Sequence, residues 1–388
     1  MSRVANRFDE LAGAVGAAMV SERDGHLVAS PRTRDEVAAV LRFCDTNDIG
    51  VEISGGGTKR GWAGAVGSDL VLDTRGLAGV REHSWQDLTA TVGAGTTWAE
   101  MQRVLAQHGQ MVALDPLWGE RATVGGVIAT NDSGALRLKY GSLRDLVIGM
   151  TLVLADGTIA RSGGKVVKNV AGYDLHKLMI GAFGTLAVIT EVTFRLHAIP
   201  RSTRVWTMDA TDASACGGVL MKVLDSQLSA QAMQLRASAK GFALDVELAC
   251  MDEVMRDQLS VLDSFAGHAG TADSEVFGAR ERLFAGEGVV VKATMLASAI
   301  ASVSAEVVRL GGEAATQASG IMLARLADES SVERLRDLVA PDGSVSVLRG
   351  TDRLGVFPKV GNAGPLMREI KRRFDPKGLL NPDVVVGG

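Results

Sequence analysis

The sequence predicts an α+β fold, and three observations carry that prediction. Strand-length apolar runs alternate with helices that have their own start signals, glycine crowds into the first half, and the pattern changes after Pro200. Residues 27–53 read as strand–helix–strand. Thr33 and Glu36 form a capping box ahead of Val37, Val40, Leu41 and Cys44 at helical spacing, Asn47 and Gly50 end the helix, and Val51-Glu52-Ile53 resumes a strand. Leu70-Val71-Leu72 and Leu88–Val92 are further short strands. A second capping box, Thr97 with Glu100, opens a helix striped by Trp98, Met101, Val104 and Leu105 and closed by Gly109. Residues 146–161 form a hairpin about Ala155-Asp156-Gly157-Thr158, and Leu186–Leu196 is another strand. Beyond residue 200, strand-like runs (Ala243–Leu248, Gly288–Leu296) alternate with helix-like ones (Ser298–Leu310, Ser331–Val339). A basic helix, Leu366–Phe374, then leads into the turn-rich stretch 375–382. These shifts divide the chain into domains 1–200 and 201–350 and a tail, 351–388.

Composition removes several function classes. A hydrophobic share of 46% is ample for a core, so 46 glycines against 8 prolines do not mark a disordered chain. The net charge of −4, well mixed, has no electrostatic footprint for nucleic acid. Cys44, Cys216 and Cys250 lie far apart without a C-x-x-C, which excludes a zinc ribbon or a cysteine-held iron–sulfur cluster built by this chain alone. A sparse, odd set of cysteines fits a reducing compartment. The six histidines have no ligand spacing, so no metal site is expected. Leu11–Val20 is too short to cross a bilayer, which takes about 20 residues. The residues before it mix Arg3 and Arg7 with Asp9 and Glu10, unlike a signal peptide. The expected location is the cytoplasm.

The glycines cluster. Twenty-seven fall in the first 200 residues, six of them within Gly55–Gly67. Ser54-Gly55-Gly56-Gly57-Thr58-Lys59 follows a strand, where successive N–H groups can converge on an anion. It is not a Walker loop, since Arg60 follows Lys59, nor the dinucleotide G-x-G-x-x-G; alone, it reads equally well as a flexible turn. Residues 122–134 set Gly125-Gly126 between β-branched residues, with Thr123, Thr130 and Asn131 alongside. Bare backbone beside a large planar or anionic ligand is the favoured reading there, against a Gly-Gly bend in a buried element. A third cluster runs from Lys165 through Tyr173 to Gly184 and Glu191.

The order of the motifs is more specific than any one of them. The loop at Ser54 is followed by Val92-Gly93-Ala94-Gly95-Thr96-Thr97-Trp98, the Thr123…Asn131 segment and Tyr140-Gly141-Ser142-Leu143-Arg144-Asp145. Ala155-Asp156-Gly157, Gly172-Tyr173-Asp174-Leu175, Gly184-Thr185-Leu186 and finally Leu380-Asn381-Pro382 complete it. This succession resembles the vanillyl-alcohol oxidase/PCMH flavoprotein superfamily over residues 27–197 and the tail. Within it, Lys168–Leu175 and the modest second domain resemble the FAD-binding (E) subunits of glycolate oxidases. The resemblance implies a PCMH-type FAD-binding domain of two α/β subdomains, a smaller α+β cap domain, and a C-terminal segment that packs back on the FAD domain.

Carried over by motif, Ser54, Gly55, Gly56, Gly57, Thr58 and Lys59 would line the FAD pyrophosphate. Thr123, Gly125, Gly126, Thr130, Asn131 and Gly134 would continue along the phosphates and the flavin edge. Gly184 and Ile189 would meet the adenine or flavin end, Pro116 matches the family's proline beside the flavin, and Asn381 would return to the isoalloxazine. Covalently flavinylated relatives have a histidine in or just after the loop. None lies between His26 and His83, so non-covalent FAD is implied.

The implied activity is oxidation of glycolate or a similar small 2-hydroxy acid, within a complex that includes a catalytic FAD subunit and an iron–sulfur subunit. Through these partners the chain would meet the cell membrane only peripherally. Related two-electron 2-hydroxy-acid dehydrogenases carry His-x-Gly-Asp-Gly-Asn in the second domain; this chain has only His268 there. Tyr173 or Lys177 would have to serve as base, with Arg144 clamping a carboxylate through paired hydrogen bonds. Arg137 and Arg353 are alternative clamps. Two other readings stand beside this one: a stand-alone 2-hydroxy-acid or D-lactate dehydrogenase, and a non-catalytic assembly subunit that keeps the flavin fold as a scaffold.

Overall fold

The computed structural model describes residues 3–23, 25–64, 66–165, 173–271, 274–351, 356–357 and 361–384. Arg353 and residues 166–172, with most of the Lys168–Leu175 motif, lie outside the described residues. The chain divides into two compact units: Met1–Asp132 with Ser142–Ala198 and Lys359–Gly388, and Ser133–Gly141 with Ile199–Pro358. The excursion at 133–141, which carries Gly134, belongs to the second unit, whereas the sequence reading assigns it to the first domain.

The first unit opens with helix α1 (Arg3–Val15) and a hairpin of β1 (Val20–Arg23) and β2 (His26–Ala29). Helix α2 (Arg34–Thr46) then crosses over to β3 (Val51–Ser54), and β4 (Leu70–Asp73) inserts between β2 and β3, parallel to both. The capping box is complete: Thr33 Oγ1 accepts from Glu36 N, and the Glu36 carboxylate accepts from Thr33 N. Val37, Leu41 and Cys44 of α2 meet Leu70 and Leu72 in one core. Each such buried aliphatic side chain contributes about 1.5–3 kcal/mol.

A second sheet is antiparallel throughout. It comprises β5 (Val80–Ser84), β6 (Thr89–Gly93), β8 (Val147–Val153), β9 (Ile159–Gly163) and β10 (Val188–Arg195) in the order β5-β6-β10-β8-β9. A short ladder of β7 (Gln110–Met111) and β11 (His197–Ala198) stands apart. Helices α3 (Trp98–Ala106) and α4 (Val124–Ala129) share a core with this sheet, where Trp98 meets the fully buried Phe194 edge-on at 5.9 Å. Two local expectations change. Leu88 is a left-handed turn residue (φ 53°), so its strand begins at Thr89. The cap of α3 is one-sided: Thr97 accepts from Glu100 N, while among the described residues no bond returns from the exposed Glu100.

The second unit is built on one antiparallel sheet of seven strands. These are β12 (Ser202–Ala210), β13 (Ala230–Ser238), β14 (Gly241–Cys250), β15 (Val289–Thr294), β16 (Glu313–Gln317), β17 (Ile321–Leu326) and β18 (Ser344–Arg349), in the order β12-β14-β13-β16-β17-β15-β18. Strand alternation sends Trp206, Met233, Leu235, Leu244 and Val246 into an apolar core shared with residues of helices Ala213–Leu224, Ile300–Arg309 and Glu329–Val339. Between them alternate Thr207, Gln234 and Asp245, which register brings onto one rung. The fully buried Asp245 carboxylate accepts from Thr207, Gln234 and two nitrogens of Arg236, so its charge is paired and hydrogen-bonded.

Candidate functional site

The glycine-rich loop leaves the end of β3 and runs beside the segment 121–126. Glycine is required there by crowding. A Cβ on Gly56 would lie 1.9 Å from the carbonyl oxygen of Arg121, and one on Gly55 would lie 2.3 Å from Thr123 Oγ1. Gly55 and Gly56 thus first make room for the segment 121–123, whereas a Cβ on Gly57, at a positive φ of 67°, would meet nothing within 4 Å. What the loop offers outward is main chain. Among the described residues, the N–H groups of Gly55, Gly56, Gly57 and Thr58 donate to no protein acceptor.

These residues form part of a groove of about 940 Å³, counting its open mouth. Ser54, Gly55, Gly56, Gly57, Thr58, Lys59, Thr123, Gly125, Gly126, Thr130, Gly184, Ile189 and Asn381 all line it. Pro116, Asn131 and Gly134 do not. The paired glycines sit in the short helix α4. Thr123 caps it by accepting from Gly126 N, and Thr130 Oγ1 donates to the Gly126 carbonyl at 2.8 Å, so both hydroxyls are engaged within the helix.

Two expected ligand contacts have protein partners. Asn381 accepts from Ile53 N at 2.9 Å and donates to the Phe183 carbonyl at 2.6 Å. Its backbone N–H bonds Val51 O, and Val51 N bonds Leu379 O, so the tail adds one rung to the free edge of β3. Lys59 is 8% exposed, and its ammonium sits 3.2 Å from Asp132 Oδ2 rather than unpaired in the groove. Sequence reasoning missed Glu52 and Arg60, which both line the groove and pair at 2.7 Å. The signal was a glutamate at a strand position with the chain's only Lys-Arg pair in a glycine loop close behind it. It also missed Phe183, whose positive φ of 51° aims its carbonyl at Asn381.

The three candidate catalytic side chains do not line the groove. Tyr173 is 89% exposed. Lys177 is paired with Asp174 at 2.7 Å, and this hydrogen bond holds the Asp174 carboxyl below the ordinary range. Arg144 donates to the Lys177 carbonyl at 3.3 Å, so it lies near Lys177 without forming a free clamp. Beside them His176 is buried, with Nδ1 3.1 Å from Ser162 Oγ, and burial lowers its pKa. Among the described residues no helix is long and apolar enough to cross a membrane, and no group of His, Cys, Asp and Glu is placed to hold a metal.

Residues 26–163 match the FAD binding domain family. D-lactate dehydrogenase of Archaeoglobus fulgidus is 40% identical over 194 residues, covering 50% of this chain and 42% of that protein. Glycolate oxidase subunit GlcD of Bacillus subtilis is 38% identical over 176 residues, covering 45% and 37%. The chain thus spans about two fifths of the length of these relatives. An uncharacterized FAD-linked oxidoreductase of Mycobacterium tuberculosis aligns along 92% of this chain and 90% of its own length, at 28% identity. The fold is that of p-cresol methylhydroxylase, with a TM-score of 0.71 at 15% identity over 98% of this chain and 96% of that one. The α+β architecture and the glycine-lined groove are accounted for together: the loop at Ser54 and the segment Thr123–Thr130 that line the groove lie within the stretch matching the FAD binding domain family, and the fold around them is the one seen in p-cresol methylhydroxylase.

Proposed function

We propose that this chain binds FAD non-covalently in the groove and serves as the FAD-binding subunit of a glycolate oxidase-type complex, oxidising glycolate or a similar small 2-hydroxy acid. One observation carries the reading: four consecutive groove-lining residues, Gly55 to Thr58, have backbone N–H groups with no protein acceptor among the described residues. Successive N–H groups form a concavity for an anion such as a pyrophosphate. Hydrogen bonds to a charged group contribute about 1.5–3 kcal/mol each. Among the described residues no histidine or cysteine lines the groove, in keeping with non-covalent attachment.

When bound, FAD supplies the two-electron acceptor for the C–H bond beside the substrate hydroxyl. This chain's residues bind and orient it: the loop amides hold the diphosphate, Arg60 adds a cation paired with Glu52, and Asn381 fixes the wall formed by Ile53 and Phe183. Among the described residues lining the groove, the charged side chains Glu52, Lys59 and Arg60 are all held in ion pairs. In this reading the catalytic FAD subunit would take the hydroxyl proton, and the iron–sulfur subunit would be the onward electron carrier. The similarity to a glycolate oxidase subunit supports this assignment.

Purification tests it. The chain alone should be yellow or become so with FAD, and acid denaturation should release the flavin. A protein that stays colourless with excess FAD rejects the cofactor. Anaerobic glycolate should leave the flavin of the isolated chain oxidised and bleach it once the partners are added. Bleaching of the isolated chain by D-lactate would instead favour a stand-alone dehydrogenase, the reading supported by the similarity to the Archaeoglobus enzyme.

A further inference from the structure

The strongest unexplained feature of the first unit is a buried charge behind the glycine loop. Lys59 is the last residue of the loop motif, yet its side chain is only 4% exposed. Its ammonium bonds the Leu117 carbonyl at 3.2 Å and pairs at 3.2 Å with Asp132, whose side chain is 5% exposed. Asp132 in turn accepts from Leu117 N at 2.8 Å. The rings of Trp62 and Trp118 flank the ammonium at 5.7 and 5.5 Å and meet each other edge-on at 6.2 Å. Trp118 holds a left-handed backbone, φ 54°, a conformation that costs energy in a non-glycine residue and persists where the surroundings impose it. Three separate stretches of chain, at 59–62, 117–118 and 132, therefore converge on one cation.

A lysine that neutralised phosphate would keep its ammonium toward the groove. This one spends its charge on Asp132. Burying an ion pair contributes little net stability, so its value lies in fixing geometry. We propose that Lys59 is a positioning residue: its paired ammonium ties the glycine loop to Leu117 and Asp132 and thereby holds the Gly55–Thr58 amides in the arrangement that receives a diphosphate, without touching the anion. This rests on the FAD reading above.

The two roles give opposite signs for one substitution. Asp132→Asn removes a negative charge beside the ammonium. If Lys59 bound the diphosphate directly, affinity for FAD would hold or rise. As a tether, Asp132→Asn weakens FAD and ADP binding at least tenfold, Lys59→Met does the same, and the double variant is no worse than Lys59→Met alone, because partners in one contact are not additive. Lys59→Arg keeps the pair and stays within threefold of the unaltered protein. Binding is read by titration of flavin fluorescence and, for ADP, by calorimetry; the tryptophan emission of each apo variant reports whether the cage is folded. Unaltered affinity in Asp132→Asn overturns the tether alone. Failure of the unaltered protein to bind FAD or ADP overturns the FAD reading and the tether with it. If Lys59→Met and Asp132→Asn fail to fold, Lys59→Arg decides, since loss of affinity there with an intact tryptophan signature rejects the tether.

Discussion

At Gly56 the backbone has no room for a side chain. A methyl group there would press into the Arg121 carbonyl at 1.9 Å, and backbone cannot yield as a flexible side chain can. Gly56→Ala is expected to cost about 1–3 kcal/mol, read as a lower urea midpoint, and to open the groove enough to weaken FAD binding as well. His176 makes a separate, pH-dependent prediction. Burial lowers its pKa, with Lys177 and Arg144 acting in the same direction and Asp174 opposing them. The folded protein therefore keeps the neutral ring, while the unfolded chain takes up a proton as pH falls below the ordinary value of 6.5. Above that pH the residue is neutral to stability; below it the unfolded state binds more protons and stability declines. The melting temperature should drop between pH 7.5 and 5.5, and His176→Gln should flatten part of that drop. His197, lowered by burial and by Arg195, keeps the remainder.

The tail is the element on which the groove depends. In the helix Gly364–Phe374, Lys371 donates to Thr185 O at 2.8 Å, to Leu380 O at 3.0 Å and to Asp375. The 1%-exposed Asp375 accepts from Leu379 N and Leu380 N, shaping the turn that delivers Asn381 to β3. Asp375→Ala leaves two buried N–H groups without an acceptor and removes the carboxylate partner of the part-buried Lys371, so a loss of about 2–5 kcal/mol is expected, with flavin shed on gel filtration. Such elements divide sharply in what the sequence foretells. The Thr33–Glu36 cap and the Asp156-Gly157 turn were legible because every partner lies within four residues; Asp156 bonds Thr158 N, and Gly157 takes the positive φ of 80° the turn needs. Thr97 and Leu88 misled because a capping pattern does not ensure the return bond and an apolar residue can occupy a turn. The partners of Lys59, Gly56 and Asn381 were not legible at all. Residue type says that a lysine or an asparagine follows a glycine loop, whereas only the tertiary path says that Asp132, Arg121 and Ile53 are waiting for them.

Two units with separate cores set the expectation for the whole molecule. Differential scanning calorimetry should resolve two transitions, and excess FAD should raise only the one belonging to the first unit, by about 4 kcal/mol at a thousandfold excess over Kd. A single transition moved as a whole would mean that the units unfold together. The fragment 199–358 should fold less stably than its sheet suggests, because it lacks the excursion 133–141. Leu138 of that excursion packs on the core of the seven-stranded sheet, and Gln317 and Arg280 both donate to the Ser133 carbonyl. One consequence concerns time. Ile53 and Asn381, bonded across the groove wall, are 328 residues apart in the chain. At about 5–20 residues per second of synthesis, β3 waits roughly 16–66 s for the rung that completes it. Through that interval the nascent chain holds a bare strand edge and an unfinished wall, so flavin capture is expected only after translation of the tail, and a chaperone that shields β3 would act in this window.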